Sequence, residues 1–214
     1  MLPLLALIPL IFAGSAAAGA LLAWIIDVLK EETKENLREC KKIAVLGDRG
    51  SGKTTLWNGL RGMRTSGACS QTIGRQIIES FDINVHGRIV TIEKGTDIGG
   101  GDDNVLPYYS KLLSGGETVL FYLVSAVDLM RNPEKCSLVN VTRLRTCRNA
   151  LGAGGSIILL LTHKNDFIKE YGEGSKEKVE NLSHIFDESG CDGRILVELT
   201  NSDDIKQIKE LIIG

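Results

Sequence analysis

The segment from Gly47 to Thr54 reads GDRGSGKT and matches the phosphate-binding pattern GxxxxGK[ST] at every fixed position. In this pattern the glycines let backbone N–H groups close around an anion, and the following helix directs its positive end at that anion. Lys53 would reach the outer phosphates, and the hydroxyl of Thr54 would hold a magnesium ion. These features predict that the chain binds a nucleoside triphosphate. The predicted contact residues are Gly47, Asp48, Arg49, Gly50, Ser51, Gly52, Lys53, Thr54 and Thr55.

A second segment, Asp97-Ile98-Gly99-Gly100, has the pattern DxxG and follows a predicted hairpin. Its aspartate can hold magnesium through water, because carboxylates and waters are the ligands this ion prefers. The N–H of Gly100 can meet a γ-phosphate. The sequence therefore predicts that Asp97 and Thr54 share one metal ion.

A third segment, Thr162-His163-Lys164-Asn165-Asp166, follows an uninterrupted apolar run. It is close to the guanine-reading pattern [NT]KxD, in which the aspartate accepts from guanine N1 and N2 and the lysine stem covers the base. Lys164 and Asp166 match the pattern, whereas His163 stands where Asn or Thr is expected. We interpret His163 as a bracing hydrogen-bond donor. A polar loop that contains KND by chance is the competing interpretation.

The segment Leu199-Thr200-Asn201-Ser202 lies between the last predicted strand and the last predicted helix. In a nucleotide-binding sheet this position suits a loop whose backbone N–H meets guanine O6. Thr200 and Asn201 are therefore predicted base contacts, on position more than on residue type.

The elements that must position these segments alternate between apolar runs and helical patterns. Such continuous runs are typical of parallel strands buried on both faces, and ligands in these sheets lie at the carboxyl ends of the strands. We predict an α/β fold with a mostly parallel six-stranded sheet, one antiparallel edge strand and helices on both faces. Predicted strands are 43–46, 76–85, 88–92, 119–124, 157–161 and 194–199, with a hairpin at His86-Gly87; predicted helices are 54–60, 138–151, 175–188 and 204–212.

Together these segments resemble the Ras superfamily of small GTPases, most closely the Arf branch and the related β subunit of the signal-recognition-particle receptor. Gln71-Thr72-Ile73-Gly74 is similar to the PTIG segment of switch I, and Asp97-Ile98-Gly99-Gly100 is similar to DVGG. Pro107-Tyr108-Tyr109 and residues 121–128 resemble two further segments of that family. The resemblance covers about residues 42–214 and implies a P-loop NTPase G domain with GTP or GDP and Mg²⁺ as cofactors.

By this resemblance, Thr72 would close on magnesium and the γ-phosphate, with Thr65 and Ser66 as alternatives. Phosphoryl transfer would then depend on Lys53, Thr72 and the Gly100 amide, with magnesium held by Thr54, Thr72 and Asp97. The family's water-orienting glutamine after DxxG is replaced by Gly101. The resemblance therefore implies slow hydrolysis unless Asp102, Asp103 or Arg49 supplies the missing group.

Three functions remain open from the sequence. The first is a GTP-dependent switch that acts through a protein effector and a regulator. The second is a receptor that GTP stabilises and that hardly hydrolyses it, which the missing glutamine favours. The third is a P-loop ATPase or kinase, which requires Lys164 and Asp166 to be unrelated to guanine.

The N-terminal segment from Leu4 to Ile26 contains no charged residue and is long enough to cross a bilayer as a helix. A cleaved signal peptide ending near Ala16-Ala17-Ala18 and a buried core helix are the alternatives. Basic residues follow the span and none precedes it, which predicts a single-pass membrane protein whose G domain faces the cytoplasm. These basic residues are Lys30, Lys34, Arg38, Lys41 and Lys42.

The remaining composition fits one domain with a short appendage. The chain has 214 residues and a net charge of −2, with acidic and basic residues well mixed, so no nucleic-acid partner is predicted. Its five cysteines include no CxxC pair, which predicts neither a zinc site nor a disulfide framework. The predicted organisation is a transmembrane anchor at 1–26, a charged helical stalk at 27–42 and a GTP-binding domain at 43–214.

Overall fold

The computed structural model describes residues 39–63, 75–99, 109, 112–113, 118–151 and 154–213. All of these except Glu39 belong to one compact unit, residues 40–214. The predicted anchor and most of the predicted stalk lie outside the described residues, as do Thr72, Gly100 and Gly101. No helix within the described ranges has the length and apolar character needed to cross a membrane.

Six strands form the main sheet, in the order β3 (Phe81–Val85), β4 (Arg88–Ile92), β1 (Glu39–Gly47), β6 (Thr118–Ser125), β7 (Ser156–Thr162) and β8 (Gly193–Leu196). Strand β6 pairs in parallel with β1 and β7, and β7 pairs in parallel with β8. Strands β3 and β4 pair antiparallel at one edge, as the sequence predicts. Two further strands, β2 (Arg75–Ile78) and β5 (Gly95–Ile98), lie outside the main sheet.

The edge hairpin turns at His86-Gly87, where both residues have positive φ (51° and 81°). Two consecutive left-handed residues form the type I′ turn that suits a two-residue hairpin, so the predicted turn is confirmed. Beyond this hairpin, β2 and β5 form a separate antiparallel pair, in which Ile78 opposes Gly95. Three residues closer to the hairpin turn on each side, Phe81 of β3 opposes Ile92 of β4. The register is therefore continuous across the break, and the single predicted strand 76–85 is divided in two.

The helices cover both faces of the sheet. The helix predicted at 138–151 begins earlier, at Pro133, and the one predicted at 175–188 is shorter and flanked by 3₁₀ turns. The structure also contains two short helices that the sequence did not predict, Ala126–Arg131 and Lys164–Tyr171. The helices are α1 (Lys53–Leu60), α2 (Ala126–Arg131), α3 (Pro133–Leu151), α4 (Lys164–Tyr171), α5 (Lys176–Ser183) and α6 (Ser202–Ile213).

The central strand β6 separates two apolar cores. Leu120, Tyr122 and Val124 point into the core that α3, α4 and α5 cover. Phe121 and Leu123 point into the opposite core, which α1 and α6 cover. Alternate residues of a strand face opposite sides, so an apolar run this long requires helices on both faces.

The predicted helical stalk is corrected at its C-terminal end, because Glu39–Lys42 are the first residues of β1. The backbone at Lys41 is paired with the segment directly after β4, since the N–H of Glu93 donates to the carbonyl of Lys41 (3.0 Å). The ammonium of Lys41 donates to the carbonyls of Ile212 (2.7 Å) and Ile213 (3.3 Å) at the end of α6. A lysine suits this position because the last carbonyls of a helix have no partner within it.

Candidate nucleotide-binding site

The phosphate loop connects β1 to α1 and depends on glycine at two crowded positions. Gly47 has φ 141°, and a Cβ there would lie 2.2 Å from the carbonyl oxygen of Leu123 on β6. Gly52 has φ 94°, and a Cβ there would lie 2.7 Å from Cδ1 of Leu199. Left-handed backbone is open to glycine at little steric cost. The two fixed glycines of the pattern therefore let the loop pack tightly against β6 and against the segment after β8.

Lys53 is the first residue of α1, and its side chain folds back over the loop. Its ammonium donates to the carbonyls of Gly47 (2.9 Å) and Asp48 (2.6 Å), and the residue is only 7% exposed. Burial lowers the pKa of Lys53 to about 8, while the carboxylates of Asp97 and Asp48 oppose this shift and Arg143 adds to it. Two negative side chains and one positive side chain therefore act electrostatically on the group predicted to meet the phosphates.

Thr54 and Asp97 meet as predicted. The Thr54 hydroxyl donates to Oδ2 of Asp97 (2.6 Å), and Asp97 is buried at 1% exposure. One helical turn later, the ring of Trp57 packs so closely on Gly95 that a Cβ there would lie 2.7 Å from Cη2. Residues three apart lie on one face of a helix. The same face of α1 therefore holds β5 at two points and fixes the position of the aspartate.

Two residues at the end of β7 brace the phosphate loop from behind. The hydroxyl of Thr162 donates to the carbonyl of Ser51 (2.9 Å), and Nε2 of His163 lies 2.9 Å from the carbonyl oxygen of Gly50. A carbonyl only accepts, so Nε2 must carry the proton. The bracing interpretation of His163 therefore has its hydrogen bond. The bracing role of Thr162 was not predicted. Threonine is a residue that [NT]KxD allows before the lysine, but Thr162 lies one residue before that position, which His163 occupies.

The structure does not bring Lys164 and Asp166 together. Both lie in the first turn of α4, and residues two apart on a helix face different directions. The ammonium of Lys164 lies 3.3 Å from Asp204 at the start of α6. The carboxylate of Asp166 is 75% exposed and borders a cavity of about 510 Å³ that Arg131 also lines.

Thr200 and Asn201 follow Leu199, which packs on Gly52 of the loop, but both already have local partners. The Thr200 hydroxyl donates to Glu198 (2.8 Å), and Oδ1 of Asn201 accepts from the N–H of Asp203 (2.7 Å), which caps α6. The backbone N–H of Thr200 also lies 3.3 Å from Oε1 of Glu198. Both residues border a surface cavity of about 700 Å³ between α6 and the β3–β4 turn.

A network from α3 holds Asp48, the second residue of the loop. Its carboxylate forms an ion pair with Arg143 and accepts from Nδ2 of Asn140 (2.9 Å). Oδ1 of Asn140 in turn accepts from the hydroxyl of Tyr122 (2.6 Å), and both residues are fully buried. Burial raises the pKa of Tyr122 well above its ordinary value, which keeps the phenol protonated as a donor.

Sequence reasoning missed Arg143 and Asn140 altogether. One signal was available, because the inward stripe of α3 carries polar residues before it turns apolar. Ser137 and Asn140 are buried near its start, and Leu144, Cys147 and Leu151 are buried further along. Two buried polar residues on a core-facing helix indicate a polar partner outside that helix.

Among solved structures, one similar in fold contains a bound nucleotide. The Methanosarcina barkeri Roco2 RocCORdC protein bound to GDP is similar in fold, with a TM-score of 0.55 and 16% sequence identity. The match covers 82% of this chain and 48% of the other, so the chain spans about half the length of that protein. No protein-family model matches the sequence, and no curated protein sequence does. The chain therefore shares the α/β fold of the matched part of that protein.

The oxygen donors beside the phosphate loop suit magnesium. A hydroxyl and a carboxylate are the hard ligands that Mg²⁺ prefers, and Thr54 and Asp97 supply them from two elements that α1 holds together. The ammonium of Lys53 stands over the same loop. Thr72, the third predicted ligand, lies outside the described residues.

Replacing Thr162 with valine should lower the free energy of unfolding by about 1–3 kcal/mol, because the buried carbonyl of Ser51 loses its donor. Thr162→Ser keeps the hydroxyl and is the matched control. Urea unfolding of the full-length protein measures both. Equal destabilisation by valine and serine would contradict a bracing hydrogen bond and assign the effect to packing of the methyl group.

Proposed function

We propose that the chain is a magnesium-dependent guanine-nucleotide switch of the small-GTPase type, related to the Arf and signal-recognition-particle receptor β branch. The observation that carries this proposal is the meeting of Lys53, Thr54 and Asp97 around one glycine loop. These residues come from two segments far apart in sequence, and their types match the phosphate and metal contacts of the two motifs. The fold shared with the GDP-bound Roco2 protein supports the same conclusion.

In this proposal, the residues of the chain bind, orient and neutralise the phosphates. Lys53 exchanges its bonds to the carbonyls of Gly47 and Asp48 for bonds to phosphate oxygens. Thr162 and His163 keep the loop in shape through the carbonyls of Ser51 and Gly50 during this exchange. Magnesium, held by Thr54, Asp97 and the predicted Thr72, would supply further neutralisation of the phosphate charge.

Guanine selection is proposed for the segment after β7, with Asp166 as the acceptor for guanine N1 and N2. The GDP in the structurally similar Roco2 protein supports a guanine ligand. In the structure Lys164 and Asp166 face different directions, so we infer that the start of α4 rearranges when a base binds. Glu198 and Asp204 hold this start in place, because they accept from the N–H of Asn165 and from the ammonium of Lys164.

The full-length protein should bind GTP and GDP in preference to ATP, and magnesium should strengthen GTP binding. Asp97→Asn should remove most of the magnesium effect, because a neutral amide is a weaker ligand for a divalent cation. Equilibrium titration of fluorescent nucleotides with and without magnesium measures both effects. Asp82→Asn is a matched control, since Asp82 lies in the exposed edge hairpin.

Asp166→Asn tests the base contact in the same titration. It should weaken GTP binding and admit xanthosine triphosphate, which carries an oxygen at position 2. The double variant Asn165→Asp/Asp166→Asn is the matched control, because it moves the carboxylate by one position without changing the net charge, and it should bind GTP no better than Asp166→Asn. Equal competition by GTP and ATP for the unmodified protein would reject guanine selection and favour an ATPase or kinase.

Hydrolysis by the isolated protein should be slow, on the order of 10⁻⁴ per second, because Gly101 cannot orient the attacking water. Gly101→Gln should accelerate single-turnover hydrolysis, whereas Gly101→Ala should not. Both variants bear the same loss of glycine's backbone freedom, so the difference between them isolates the side chain. No detectable hydrolysis in any variant, even with cell extract, would favour the alternative of a receptor that GTP merely stabilises.

We also propose that residues 4–26 anchor the protein in a membrane with the GTPase domain facing the cytoplasm, where it recruits a protein partner. The full-length protein should stay in the membrane fraction after a carbonate wash, and a chain lacking residues 1–26 should be released. Protease added to sealed, right-side-out membrane vesicles should leave the domain intact, because a cytoplasmic domain lies inside such vesicles. A mature N-terminus near Gly19 would instead show a cleaved signal peptide.

A further inference from the structure

We propose that Arg143, assisted by Asn140, is a positioning residue for the phosphate site: it holds the Asp48 carboxylate on α3, so that this charge does not repel bound phosphates. This inference rests on the proposed nucleotide binding and adds two residues outside every predicted motif. Asn140 is buried on α3, and the side chain of Arg143 on the same helix is 11% exposed; no sequence motif connects either residue with the loop.

Asp48 is a negatively charged residue within the loop that has to receive an anion. Its backbone carbonyl accepts from the Lys53 ammonium (2.6 Å) and from the Ser51 hydroxyl (2.8 Å), so the residue is part of the turn itself. Its carboxylate also acts electrostatically on Lys53. Without a partner, this carboxylate would repel the bound phosphates.

Arg143 supplies that partner from a position that leaves it little freedom. Its side chain is 11% exposed and paired with Asp48, whose side chain is 35% exposed. Arginine suits this role because its charge is permanent and its donors are fixed in one plane. The guanidinium therefore cancels the charge of Asp48 and holds the carboxylate on the α3 side of the loop.

Asn140 fixes the second oxygen of the same carboxylate. Its Nδ2 group donates to Asp48 (2.9 Å) and to the carbonyl of Cys136 one turn earlier (2.8 Å), while Tyr122 donates to its Oδ1. With three partners on a fully buried side chain, the amide has one satisfied orientation. Each oxygen of Asp48 thus has its own donor on α3.

The test compares Arg143→Met with the double variant Arg143→Met/Asp48→Asn in the full-length protein. Affinities for GTP, GDP, ATP and inorganic tripolyphosphate are measured by titration at low and high salt. Arg143→Met should weaken tripolyphosphate and GTP about tenfold or more, and GDP less, because repulsion grows with phosphate charge. Salt should reduce the defect, since it screens charges. The double variant should recover to within about threefold of the unmodified protein.

Arg145→Met is the control, since Arg145 lies on the same helix but is exposed, and its affinities should stay within about twofold. Thermal unfolding of every variant shows whether the fold is retained. Equal weakening of GTP and GDP without rescue by Asp48→Asn, or unchanged binding by Arg143→Met, would overturn the positioning role.

The tripolyphosphate arm separates this inference from the proposed function. Rescue with tripolyphosphate in a protein that prefers no base would reject guanine selection and support the role of Arg143. An unmodified protein that binds neither tripolyphosphate nor any nucleotide would overturn both.

Discussion

The buried ammonium of Lys53 is the group on which the rest of the site depends. It lies among backbone carbonyls of its own loop, with the carboxylates of Asp48 and Asp97 nearby and Arg143 behind Asp48. Two positive and two negative side chains therefore balance one another, and of the four only Asp48 has substantial contact with solvent. Burying a charge is unfavourable unless it is paired or hydrogen-bonded, so each of the four constrains the other three. The tight packing of Gly47 and Gly52 is the backbone geometry that allows this balance.

Much of the fold follows from local patterns. The continuous apolar runs of β6 and β7 and the His86-Gly87 turn predict buried strands and a hairpin because the responsible residues are neighbours in sequence. Helix α4 escaped prediction because it is only eight residues long and has a single buried side chain, Phe167. The start of β1 escaped because Lys41 and Lys42 read as solvated charges, whereas Lys41 caps the end of α6.

The candidate site divides in the same way. The phosphate loop, Thr54 and Asp97 are encoded in short motifs whose spacing is visible in one chain. Arg143 and Asn140 lie more than 90 residues from Asp48, which only the tertiary packing of α3 brings close. The bracing role of Thr162 was missed because the pattern [NT]KxD places the bracing residue directly before the lysine, at His163, whereas Thr162 lies one position earlier. Contacts made by the face of a helix carry a weak signal, since a polar residue there is ordinary until its partner is known.

The β3–β4 and β2–β5 pairs share one register from the His86-Gly87 turn to Arg75 and Ile98, and this register has a mechanical consequence. Arg75 opposes Ile98, so the start of β2, which follows the switch I-like segment in sequence, lies beside the end of β5, which carries Asp97. Side chains alternate in direction along each strand, and a slip of one residue would turn Asp97 away from Thr54. Only a slip of two residues restores the original facing, which amounts to about 7 Å of travel. The register of this pair therefore holds the Asp97 carboxylate on the side that faces Thr54.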